Sequence, residues 1–90
     1  MENAEWKSTP RGAAARMSVS RHFITCLRLL DAGMEEGARR SLAPGRWLEG
    51  LDLRGVPSSL VARTEHLCGV ARLGETHELH ASVQRILDLW

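Results

Sequence analysis

Apolar side chains recur at helical spacing in four separate stretches of this chain, and no stretch shows the strict apolar-polar alternation of a half-buried strand. The last stretch is the cleanest. At about 100° per residue, Leu79, Val83, Ile86, Leu87 and Trp90 fall within an arc of about 100°, with Gln84, Arg85 and Asp88 facing away, and Thr76 stands where an N-cap is needed. Near the start, with Ser18 as N-cap, Val19, Phe23, Cys26, Leu27 and Leu30 share a similar arc, with Arg21 and Arg28 opposite and Gly33 as a stop. Residues 13–17, rich in alanine, extend this helix backward. Residues 34–42 put Met34, Ala38 and Leu42 on one side and pair Glu35 with Arg39 and Glu36 with Arg40 at i,i+4, before Pro44-Gly45 ends the pattern. A further helix, capped by Ser58 or Ser59 and running to about Leu73, carries Leu60, Val61, Thr64, Leu67, Cys68 and Ala71 on one face and stops at Gly74.

These elements predict an all-α fold: a small single domain of three to four short amphipathic helices, the first two forming a hairpin about Gly33. Residues 1–12, with Pro10 and Gly12 and no apolar period, read as a flexible leader, and residues 13–90 as the helical domain. Residues 43–57 read as an irregular central loop, with two prolines and three glycines, that tucks Trp47 and some of its leucines against the core. Ninety residues allow one domain. Ordering them costs on the order of 135 kcal/mol at about 1.5 kcal/mol each, which burial in so short a chain offsets narrowly, so a partner or self-association would add stability.

Two cysteines, Cys26 and Cys68, are too few for a disulfide scaffold, and no apolar run reaches the length of a secretory signal core or the ~20 residues of a membrane span. The expectation is an intracellular, cytoplasmic chain with reduced thiols. Eleven arginines against one lysine, with ten alanines and eight glycines, indicate a GC-rich reading frame. That composition also allows a product with no selected function.

Charge is uneven. No acidic residue lies between Glu5 and Asp31, while Lys7, Arg11, Arg16, Arg21 and Arg28 do; residues 31–90 carry seven arginines against nine acids. A basic, acid-free amphipathic segment suits a mitochondrial targeting role, an anionic membrane surface or a calmodulin-like groove, for which Met17, Ile24 and Leu30 have suitable anchor spacing. A plain solvated face on a core helix carries the same pattern, and Glu2 and Glu5 sit where targeting peptides are poor in acids.

Catalytic and metal chemistry find little support. His22 and Cys26, and His77 and His80, have same-face helical spacing, yet paired zinc-finger spacing is missing and Cys26 lies at the centre of an apolar face. The chain carries no nucleophile elbow, phosphate-binding loop or dinucleotide fingerprint. It is therefore read as a non-enzyme, with no catalytic residue, cofactor or metal.

Three segments resemble known units. FITCLRLLDAGMEEGARRSL, residues 23–42, resembles one helix-turn-helix of a tetratricopeptide or pentatricopeptide array, and WLEGLDLRGVPSSL, residues 47–60, is similar to one leucine-rich repeat; neither has a second copy, which such arrays require. VARLGETHELHASVQRIL, residues 70–87, resembles a bacterial DNA-binding helix-turn-helix with SVQRIL as recognition helix, which implies phosphate contacts by Arg72 and Arg85. The acidic balance of residues 31–90 disfavours nucleic acid as a partner.

The leading expectation is a protein-protein interaction domain that contacts its partner through the basic helix near residues 16–30, with Arg16, Arg21 and Arg28 as contact residues. A nucleic-acid-binding helix-turn-helix-like module in residues 58–90 is the alternative.

Overall fold

Thr9 and Pro10 start the longest helix of the chain, α1 (Pro10–Asp31), well before Ser18. Thr9 is extended, its Oγ1 accepts the Gly12 N–H at 3.0 Å, and Pro10 fills the first helical position, where its missing N–H costs nothing. Ser18 lies inside the helix, and its carbonyl accepts a hydrogen bond from His22 Nδ1 at 3.1 Å. The computed structural model describes residues 4–42, 46–71 and 73–90, so the Pro44-Gly45 stop and Arg72 lie outside the described residues.

Within the stretch read as a leader, Glu5–Ser8 form a 3-10 helix whose Trp6 is buried and meets Trp90 edge-on at 5.6 Å. Thr9 Oγ1 donates to the Trp6 carbonyl at 2.8 Å, folding this turn onto the start of α1. Gly12 makes the approach possible, because a Cβ there would stand 1.7 Å from the Trp6 carbonyl oxygen.

α1 ends in a Schellman motif. Gly33 takes φ +77°, its N–H reaches the Leu30 carbonyl at 3.1 Å, and the Met34 N–H reaches Leu29 at 2.8 Å. The chain then reverses into α2 (Glu35–Leu42), which lays Ala38 and Leu42 against Val19, Phe23 and Cys26 of α1. Met34, expected on that inward side, instead lies in the exposed turn, because its amide closes the end of α1 and the helix begins after it. The i,i+4 pairs form, Arg39 to Glu35 at 2.9 Å and Arg40 to Glu36 at 2.7 Å.

The central loop contains a single helical turn, α3 (Arg46–Glu49), that the sequence did not announce. Trp47 is held there on three sides. Its Nε1 donates to the Leu42 carbonyl at 3.2 Å, its ring stacks on His22 at 4.1 Å, and Phe23 meets it edge-on at 5.9 Å.

α4 (Ser58–Val70) and α5 (Thr76–Leu89) complete an all-α domain, with no strand among the described residues. Neither expected serine nor Thr76 is the N-cap. Pro57 and Glu75 occupy those positions without a side-chain cap bond, and the Pro57 carbonyl receives the Leu60 and Val61 amides, each at 3.1 Å. α4 stops at Val70, short of Leu73, and Gly74 with φ +80° redirects the chain into α5. The apolar faces fall as the periodicity dictates: Leu60, Thr64, Leu67 and Cys68 are buried on α4, and Leu79, Val83 and Ile86 on α5.

Trp90 closes the structure. Its Nε1 donates to Thr64 Oγ1 at 2.9 Å, that hydroxyl donates to the Leu60 carbonyl at 2.8 Å, and Arg16 Nε donates to the Trp90 carbonyl. Among the described residues no helix is long and apolar enough to cross a membrane.

Candidate interaction surface

The inward face of α1 is committed to the core through Val19, Phe23, Cys26 and Leu30, so its outward face is fixed by helical geometry. Met17, Arg21, Ile24 and Arg28 follow one another there at i, i+4, i+7 and i+11. Met17 is 65% and Ile24 40% exposed, and both arginines are exposed and make no ion pair with the described residues. Two exposed apolar side chains therefore alternate with two exposed cations along this face.

Arg16 sits differently. It is half-buried, and its guanidinium holds the Trp90 carbonyl. Met17, Ile24 and Leu30, spaced like groove anchors, do not share a face, since Leu30 is buried while the other two are exposed.

The histidines and cysteines are dispersed. Cys26 is buried with its Sγ donating to the Ala38 carbonyl at 3.7 Å, while His22 lies flat on Trp47. Burial pushes both thiols up, and Cys68 reaches about 11, raised further by Cys26 and then by Glu65. The Ser41 hydrogen bond and the Arg39 charge oppose the rise at Cys26. His80 Nε2 pairs with Asp31 at 3.0 Å and ties α5 to the end of α1, and His77 is exposed. No three His, Cys, Asp or Glu side chains converge as metal ligands among the described residues.

Two features escaped the sequence reading. Arg39 reaches across from α2 to the α4–α5 turn, donating from Nη1 to the carbonyls of Ala71 at 2.8 Å and Leu73 at 3.1 Å, and from Nη2 to Gly74 at 3.1 Å. The second feature is an open groove of about 520 Å³ between α4 and α5, with Arg63, His66 and Arg85 in its lining. Its only signal in the sequence is that positions 63, 66 and 70 and positions 82, 85 and 89 each keep helical spacing beside the buried face.

No family model, no curated protein and no solved structure matches this chain.

Proposed function

We propose that the chain is a non-enzymatic protein-binding domain that engages its partner through the outward face of α1. The observation that carries this reading is the stripe of Met17, Arg21, Ile24 and Arg28, apolar and cationic in alternation and left uncovered by the rest of the fold. A partner fitted to it offers shallow apolar pockets flanked by carboxylates. Arg21 and Arg28 supply register and attraction, and Met17 and Ile24 supply buried area. Arg16, the third residue of the expected contact set, is half-buried, precedes Met17 on α1 and has its Nε on the Trp90 carbonyl. The non-enzymatic part of the reading rests on the sequence, which lacks any nucleophile or phosphate-loop signature.

The test places a photo-crosslinking residue at Met17 or Ile24 of the full chain in cells, with the same probe at exposed Glu36 on α2 for comparison. Discrete adducts are expected from the α1 positions and not from Glu36, and they disappear when Arg21→Glu and Arg28→Glu are combined. Because both arginines are exposed, the double variant keeps its fold, and its loss of stability stays within about 2 kcal/mol, most of it from placing an acid in the last turn of α1. Identical adducts from Glu36, or adducts indifferent to the charge reversal, overturn the reading.

A further inference from the structure

The groove between α4 and α5 shares no lining residue with the α1 face. Its floor is apolar, with Leu67 and Ile86 buried at its base and Val70 and Leu89 left 37% and 43% exposed along it. Its polar lining is one-sided: Arg63, His66 and Arg85, with Ser82 bound to Arg85 at 3.4 Å, and no carboxylate. Glu65 and Asp88 belong to the same two helices but lie outside this lining. We propose that this groove receives an acidic amphipathic helix from a partner protein.

Three arguments select that occupant. From Ala62 to Val70 the α4 wall rises about 12 Å, which matches the roughly 10.5 Å between the first and last anchors of an i, i+4, i+7 helical motif. The walls are helices whose backbone groups are spent on their own ladders, so they give an extended strand no edge to pair with, whereas a third helix packs its ridge between two others. Charge then decides the sign. Arg63 and Arg85 attract glutamates or aspartates flanking the apolar anchors, and the His66 ring adds a hydrogen-bonding group between them. A second copy of this chain is a poor fit, because it brings the same cations to the groove and the outward face of α1 is itself basic. Nucleic acid would satisfy the cations but leave the apolar floor unused.

The test uses the intact chain and a fluorescently labelled synthetic peptide of about 14 residues, with leucines at i, i+4 and i+7 and flanking glutamates, read by anisotropy. Saturable binding is expected, weaker by at least about tenfold, or about 1.4 kcal/mol, for a scrambled peptide of the same composition and for one flanked by lysines. Arg63→Glu and Arg85→Glu each weaken it by at least about fivefold, while Arg40→Glu, the same charge change on α2, does not. Ala62→Trp fills the groove at an exposed helix position and abolishes binding without loss of helicity. Pairing the lysine-flanked peptide with the Arg63→Glu, Arg85→Glu double variant restores it. The proposal is overturned if no saturable binding occurs, if scrambled and amphipathic peptides bind alike, if Arg40→Glu matters as much as Arg63→Glu, or if duplex DNA binds through Arg63 and Arg85 where the peptide does not.

Discussion

Gly12 and Gly37 are both helical glycines, and their surroundings give them opposite values. At Gly12 the Trp6 carbonyl occupies the place of a side chain, and backbone cannot swing aside as a flexible side chain can. At Gly37 nothing lies within 4 Å of an added Cβ, and the glycine only enlarges the freedom of the unfolded chain. Gly12→Ala is therefore expected to lower stability by about 1–3 kcal/mol and to undock Trp6. Gly37→Ala raises stability by about 0.4–1 kcal/mol. Urea titrations followed by circular dichroism and tryptophan fluorescence check both, and a stable Gly12→Ala protein with native fluorescence would show that the 3-10 helix can sit elsewhere. The difference between the two glycines was illegible in the sequence. Gly12 stands beside Pro10 and reads as a breaker, yet its requirement comes from a carbonyl six positions back that folds over it.

Among elements, α2 is short and contributes through its ties as well as its apolar face. Arg39 fastens three carbonyls of the α4–α5 turn, and Glu35 accepts hydrogen bonds from Thr76, the first residue of α5, and from Arg39. The Thr76 hydroxyl first, and then Arg39, hold the Glu35 carboxyl below its usual 4.5. Asp52 is held low in the same way by Arg54 and, less strongly, by Arg11. A depressed carboxyl contributes stability that is complete above its usual value and disappears as pH falls through the native one. Glu35→Gln should therefore flatten the acid limb of the stability-pH curve, and an unaltered limb would exclude the tie to α5. Arg39→Met removes charge-assisted bonds and lowers stability by about 2–3 kcal/mol, with amide exchange accelerated first in residues 71–76. The helices and their inward faces were legible, because the apolar period survives every departure at their ends. The ends were not. Thr9 was hidden by its Pro- and Gly-containing neighbourhood, Pro57 and Glu75 displaced the expected caps, and α3 is too short to show a period. The outward stripe of α1 is the complement of a legible core face, whereas the α4–α5 groove depends on how two helices lie beside each other, which no single segment encodes.

At the scale of the whole molecule, one core joins α1, α2, α4 and α5, and both thiols are sealed inside it. Burial holds Cys68 at about 11 against the ordinary 9.0. A thiol raised in this way leaves stability untouched below pH 9 and erodes it as pH rises toward 11, because the unfolded chain ionises first. Cys68→Ala should remove most of that alkaline loss, at the cost of a smaller core residue. Thiol-reactive dyes should label the native protein only as fast as it opens, so labelling that outpaces the opening rate measured by amide exchange would mean the cysteines are reachable from the folded state.

The contact of Arg16 with Trp90 joins positions 74 apart in the chain, whereas the bonds that build each helix join near neighbours. Closing a loop of that length costs roughly 4 kcal/mol of chain entropy, so the helices can form in isolation while the seam between the two ends waits for them to assemble. Folding thus has a local beginning and a long-range finish. The Arg16, Thr64 and Trp6 contacts to Trp90 act as a latch on the assembled protein, governing how long it stays shut more than how fast it forms.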